Sequence, residues 1–354
     1  MAYSTITKPS LHFNTKLYTG SSSAQSITGV GFQPDWTWIK NRSTANWHNA
    51  FDAVRGAGKV LYPNANTMEG TDNSLLSAFD SDGFSVGTNT DVNNNGVGAV
   101  SWNWKANGAG SSNSDGSIAT TVSANTTTGF SIVTYTGTGN AGATIGHGLG
   151  AVPKWILIKK RAGGSARDWA VYHGANTSAP ETEILYLNNT DATADSIGYW
   201  NDTAPTSSVI TLGAANEVNE YNTHTYVAYC FAEKKGYSKF GKYIGNGNSN
   251  GTFVYTGFKP ALIIIKRTDT TSNWTMFDNK RDGFNCDQAQ LKPNLSDAED
   301  AGSASTFLDI LSNGFRCRNN ASDKNGNGGT YIYMAFAEEP LVANVGSGIP
   351  ATAR

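Results

Sequence analysis

The segment Pro34-Asp35-Trp36-Thr37-Trp38-Ile39-Lys40 returns as Pro153-Lys154-Trp155-Ile156-Leu157-Ile158-Lys159 and again as Pro260-Ala261-Leu262-Ile263-Ile264-Ile265-Lys266. A chain that carries one apolar block three times must satisfy the same local structure three times, so the sequence reads as three diverged copies of one unit. Upstream of the block lie Tyr18-Thr19-Gly20, Tyr135-Thr136-Gly137 and Tyr243-Ile244-Gly245. Downstream come a lone tryptophan (Trp47, Trp169, Trp274) and then Leu61-Tyr62-Pro63-Asn64, Leu185-Tyr186-Leu187-Asn188 and Leu291-Lys292-Pro293-Asn294. Each copy closes on an aromatic run: Val100 to Trp104, Thr225 to Glu233 and Thr330 to Glu338. The blocks recur roughly 110 residues apart, a small-domain spacing well above the roughly 20 to 50 residues of solenoid repeats.

The fold class follows from the punctuation. Thirty-nine glycines, frequent Asn-Gly and Asp-Gly pairs and short runs of Val, Ile, Tyr, Phe, Trp and Thr describe many strands joined by tight turns. The repeated blocks are apolar on both faces, as in a strand sandwiched between layers. The expectation is therefore an all-β protein of three tandem antiparallel β-sandwich repeats of jelly-roll or lectin-like character. Its boundaries are residues 1–107, 129–235 and 236–340, with a linker at 108–128 and a C-terminal tail at 341–354. Only the stretch from Leu295 to Leu311 permits a helical turn or two. The second and third copies, with no linker between them, are expected to dock rigidly.

Composition closes several classes of function. With 15% charged residues and a net charge of −2 there is no basic field for nucleic acid. No 18-residue apolar run and no basic-then-apolar leader occur, so a chain made in a cytoplasm without membrane insertion is expected. Cys230, Cys286 and Cys317 lack metal or disulfide spacing and read as buried thiols. Gly137-Thr138-Gly139-Asn140-Ala141-Gly142 fits a dinucleotide fingerprint by letter alone, because no helix follows to hold a pyrophosphate. Asp91-Val92-Asn93-Asn94-Asn95-Gly96 and Asp323-Lys324-Asn325-Gly326-Asn327-Gly328 open like calcium loops, but Trp102 and Met334 stand where a bidentate Glu belongs. Turn chemistry accounts for both, and neither a metal nor a cofactor is expected.

The five histidines show no metal-ligand spacing, and Asp52 and Asp278, in matched loops, read as repeated structural contacts rather than a glycosidase pair. No catalytic residue is expected. Among the nine tryptophans, Trp47, Trp169 and Trp274 read as core. Trp38 and Trp200 have no Trp counterpart in the other copies and are the candidate ligand-binding residues, since aromatic faces stack on sugar rings. The basic clusters that end the repeated strands (Lys40 and Arg42; Lys159, Lys160 and Arg161; Lys266 and Arg267) read as solubilising charges on strands emerging into water.

Phe13 to Gly20, Gly31 to Arg42, Gly129 to Gly137, Tyr226 to Glu233, Gly236 to Gly241 and Thr330 to Glu338 together resemble an uncharacterised family of virion structural proteins of marine tailed bacteriophages. The resemblance runs to Pro350-Ala351-Thr352-Ala353-Arg354 and brings no catalytic or ligand residues with it. It implies a non-enzymatic protein exposed on the particle, tail-associated, acting in attachment to host-surface glycan or in virion assembly. A capsid decoration protein and a tail-spike depolymerase are the alternatives. The partners it implies are other virion proteins and further copies of itself, a trimer being the first expectation. Function is expected where the copies differ, above all in the insert from Thr190 to Tyr221.

Overall fold

Trp36 to Lys40, Trp155 to Lys159 and Leu262 to Lys266 form strands buried along their whole length in the computed structural model, which describes residues 4–221, 223–300 and 308–341. The first copy contains β1 (Phe13–Thr19), β2 (Gln25–Thr28), β3 (Trp36–Asn41), β4 (Asn49–Asp52), β5 (Lys59–Val60), β6 (Gly70–Thr71), β7 (Leu76–Asp80), β8 (Gly83–Val86), the helical turn α1 (Thr90–Asn93) and β9 (Gly98–Trp104). Then follow β10 (Ser111–Asn113) and β11 (Thr120–Asn125). The second copy contributes β12 (Phe130–Thr136), β13 (Ala143–Gly146), β14 (Pro153–Ala162), β15 (Ala170–His173), β16 (Glu183–Tyr186), β17 (Ala194–Asp195), α2 (Ile197–Trp200), β18 (Val209–Leu212), α3 (Asn216–Asn219) and β19 (Thr225–Ala232). The third has β20 (Ser238–Ile244), β21 (Phe253–Tyr255), β22 (Phe258–Arg267), β23 (Trp274–Asp278), β24 (Leu308–Leu311), β25 (Gly314–Cys317) and β26 (Thr330–Pro340).

One strand order occurs three times: β1-β9-β3-β4, β12-β19-β14-β15 and β20-β26-β22-β23. Each of these inner sheets is faced by a small outer sheet: β2-β8-β7, β13-β18 and β21-β25-β24. The chain is thus all-β and antiparallel, with an apolar layer between each inner and outer sheet. Two expectations need correction. Residues 108–128 are not a bare linker, because β11 pairs along its length with β12 and extends the second inner sheet. Leu308–Leu311 is a strand rather than a helical turn. The expected tail lies outside the described residues apart from Leu341.

The other face of every inner sheet points to one shared centre. Trp36 stacks on Tyr229 of the second copy (ring centroids 4.6 Å apart), Phe13 on Phe336 of the third (5.2 Å), and Trp155 on Trp274 (6.1 Å). A single cluster of buried side chains runs through all three copies. The copies therefore complete one another's cores instead of standing as three beads.

Hydrogen bonds around this centre pass from copy to copy in one rotational sense. Tyr229 donates its hydroxyl to Asp52 (2.6 Å), and the equivalent Trp102 donates its indole N–H to Asp278 (3.0 Å). At the first seam Glu69 takes Arg161 of the second copy (2.8 and 3.1 Å) and Arg55 of its own (3.1 Å). At the seam between copies three and one, Glu299 takes Arg42 (2.9 and 2.6 Å) and Arg281 (3.0 Å). The seam between copies two and three keeps the backbone contact, Thr193 N–H to Thr268 O (2.9 Å), but replaces the whole Asp, Arg, Glu and Arg set: His173, Asn176, Thr193 and Thr268 stand in those places.

The repeated motifs are explained by the same geometry. Tyr18, Tyr135 and Tyr243 donate to Val92, Val218 and Lys324 carbonyls (2.6, 2.7 and 2.7 Å). The glycine two residues on is obligatory, because a Cβ on Gly20, Gly137 or Gly245 would lie 2.1 to 2.3 Å from the backbone carbonyl of Asn94, Glu220 or Gly326. Asn64, Asn188 and Asn294 each accept the N–H of the residue that opens the fourth inner strand's approach: His48, Trp169 and Trp274 (2.8, 2.8 and 3.0 Å).

Candidate functional site

Both expected ligand residues are interior. Trp38 is buried in the shared centre, donates to His48 Nδ1 (2.8 Å) and meets Trp102 edge-on. Trp200, on α2, is buried against Tyr172 and donates to the Glu183 carbonyl (2.9 Å). Lack of a Trp counterpart in the other copies reflected different core packing, not exposure. Conversely Trp47 was expected in the core and is 41% exposed, edge-on to Tyr62. Register explains this: Asp52, His173 and Asp278 pair with Trp36, Trp155 and Leu262, so the position of Trp169 and Trp274, four residues earlier, is His48. Trp169 and Trp274 reach across seams to the Tyr62 and Tyr186 carbonyls (3.0 and 2.8 Å).

The basic clusters also turn inward. Lys40, Lys159 and Lys266 are buried, and burial lowers their pKa to about 8, about 7 and about 8. Lys159 donates to Asn66 O of the first copy (2.9 Å) and Lys266 to Thr190 O of the second (3.3 Å), so these amines close seams. Arg267 alone of the clusters stays with exposed partners, Asp269 and Ser322.

The calcium-like loops are backbone pins. Asn93, Asn219 and Asn325 are buried; each oxygen accepts the turn after Tyr-x-Gly, as in Ser21 N–H (2.7 Å), Thr138 N–H (2.8 Å) and Asn246 N–H (3.0 Å). Their amide groups donate to carbonyls, Asn219 to Asn140 and Gly213 for example (2.8 and 3.1 Å). The glycine-rich 137–142 stretch is therefore held by Asn219. Asp52 and Asp278 are committed to the seams, Asp80 to Ser85 and Asp82 to the N–H groups of Gly29 and Gly31. Glu220, held low by its hydrogen bond to Lys160, lies between buried Lys160 and His224 and ties down the end of the second copy. Cys230 and Cys317 are buried thiols as expected, whereas Cys286 is partly exposed.

The third copy exposes aromatic side chains that lie outside the repeat's common plan. Register aligns Ile27 opposite Phe84 with Val254 opposite Phe315, so Phe253 and Tyr255 stand where the first copy has Ser26 and Thr28. In the second copy Ile145 opposite Ile210 places Thr144 and Gly146 there. Phe253 and Tyr255 are 40% and 50% exposed on the outer face of β21, and Ile244, matched by Thr19 and Thr136, is 55% exposed. Tyr255 borders a cleft of 350 Å³ walled by Glu233, Ser238 and Lys239, with Glu233 and Lys239 3.8 Å apart. An apolar ring beside polar and charged groups at a cleft mouth is chemistry suited to a polyhydroxylated ligand. Attention to tryptophan alone hid this face; comparing Phe253-Val254-Tyr255 with Ser26-Ile27-Thr28 at strand period two would have found it. The insert from Thr190 to Tyr221 carries mostly structure, β18 and α2, with Ile197 and Tyr221 exposed.

Fold and surface together define an all-β sandwich protein whose three sets of sheets share one centre and whose distinguishing surface is an aromatic outer face. The chain belongs to the family described as a domain of unknown function, DUF7483, whose model matches residues 8–340. That span takes in all three copies and the shared core. Neither the curated proteins nor the solved structures contain a match to the chain. Among the described residues no helix is long and apolar enough to cross a membrane.

Proposed function

We propose that this protein is a non-enzymatic structural component of a tailed-bacteriophage particle, exposed on its surface and attaching to host-surface glycan through the outer face of the third copy. The observation that carries the glycan reading is the change of three matched positions to Ile244, Phe253 and Tyr255 in one copy only, beside the Glu233, Ser238 and Lys239 cleft. Sheet-borne aromatics at i and i+2 lie roughly 7 Å apart on one flat face, a spacing that lets both rings meet one extended saccharide. The particle reading rests on the family resemblance of the sequence, and the rigid, weakly charged, seam-locked architecture suits a displayed module.

The test is a host-polysaccharide array with the wild type, Phe253→Ala, Tyr255→Ala and the double variant. Binding that falls at least about tenfold in the double variant, with unchanged unfolding, supports the reading, since stacking is worth about 1 to 2 kcal/mol for such a pair. Absence of binding across host polysaccharides, or binding indifferent to both substitutions, refutes the glycan site. Antibody labelling of particles tests location separately, and a particle free of label refutes the virion assignment.

A further inference from the structure

We propose that the outer edge of β1 is an acceptor for an extended strand donated by a second protein chain, which adds antiparallel to the first inner sheet. Three inner sheets share one plan, yet among the described residues only β12 carries a further covering strand, while β1 and β20 each pair with a single neighbour. On β12 the edge is occupied by β11, Thr120–Asn125 pairing with Phe130–Tyr135. That covering strand also fastens the seam to the first copy, Asn107 N–H reaching Ser123 Oγ at 2.8 Å. Among the described residues β1 pairs only with β9 on one side.

Along the other side runs a groove at the seam of copies one and three. Two cavities, 210 and 360 Å³, follow it and share Asn14, Thr15 and Lys280, with Glu338 and Glu339 at one end and Gly29 at the other. Thr15 lines both, is 5% exposed, and its Oγ1 has no hydrogen-bond partner. A buried hydroxyl without a partner is costly, and the matched positions are apolar, Ile132 and Phe240. A guest strand in this groove would supply the missing carbonyl or N–H. The guest chemistry follows from the occupied edge: about six residues, small or β-branched like Thr120–Asn125, with a small residue opposite Thr15 as Ser123 lies opposite Ile132. An unguarded edge strand is otherwise a liability that folds cover.

The test uses the full chain and a synthetic peptide of its own covering strand, residues 117–126 (SIATTVSANT). Site-resolved hydrogen exchange should show the outward amides of Phe13–Thr19 exchanging freely in the chain alone and about tenfold more slowly with peptide. Thr15→Val should weaken the peptide about fivefold while the free chain melts no lower, because the orphan hydroxyl is gone. Three results overturn the proposal: β1 amides as slow as those of β9 without peptide, which would mean the chain closes its own edge; protection confined to β20 or absent; or unchanged affinity in Thr15→Val.

Discussion

Glu69 offers the sharpest perturbation of the seams. Its carboxylate sits between Arg55, whose side chain is fully buried, and Arg161, which keeps a fifth of its side-chain surface. Burial alone would raise its pKa; Arg161 and Arg55 outweigh that and hold it below the ordinary carboxylate range. Glu69→Thr leaves Arg55 with Asp52 alone and Arg161 without an anion. Breaking one side of a buried ion network costs about 3 to 5 kcal/mol, and the solvent at Arg161 places this case near the lower figure, about 3 kcal/mol. The chain itself shows an uncharged solution at the seam of copies two and three. Installing that set at the first seam, Asp52→His, Arg55→Asn, Glu69→Thr and Arg161→Thr, together with Tyr229→Met because Met334 holds the place of Tyr229 in the third copy, should return stability to within about 1 to 2 kcal/mol of wild type, since none of the seam carboxylates and guanidiniums is left unpaired. Urea unfolding of the single variants and of the combined one measures this. If the combined variant loses the sum of the single losses, the five positions do not act as one exchangeable unit and the reasoning fails.

Other consequences can be checked with the same unfolding assay. Lys40, Lys159 and Lys266 have folded pKa values of about 8, 7 and 8 against an ordinary 10.5, so between about pH 7 and 10 the unfolded chain binds more protons and stability should rise with pH. Lys159→Met should flatten that rise by about 1.4 kcal/mol per pH unit, and a flat wild-type profile would contradict the buried-amine geometry. Trp169→Ala should cost about 3 to 5 kcal/mol and Trp47→Ala under about 1, despite their similar place in the sequence; equal costs would contradict the register that puts His48 in the core.

The sequence carried the strands well because the same blocks had to be satisfied three times: the two-sided apolar runs, the Tyr-x-Gly turn and the buried Asn all recur in phase. It did not reveal that the inner sheets face a common centre, because apolar residues on both faces of Trp36 to Lys40 say that two layers cover the strand without saying whose layers they are. Lysine at the end of each block looked like a solvent-facing charge for the same reason; main-chain carbonyls make its burial tolerable, those of Asn41 and Thr44 for Lys40, and one from the neighbouring copy beside one from its own for Lys159 and Lys266. Trp47 misled through a one-residue phase error, which at strand period two reverses the face. Phe253 and Tyr255 escaped notice because single exposed aromatics are ordinary, and their meaning emerges only by register against Ser26, Thr28, Thr144 and Gly146.

The shared centre is tested most directly by calorimetry of the whole chain, with tryptophan fluorescence and far-ultraviolet circular dichroism followed across the same transition. Because Trp36, Trp155 and Trp274 contact residues of other copies, all three copies should melt together, with coincident probes and a calorimetric to van't Hoff enthalpy ratio of about one. Two or three resolved transitions, one per copy, would contradict it.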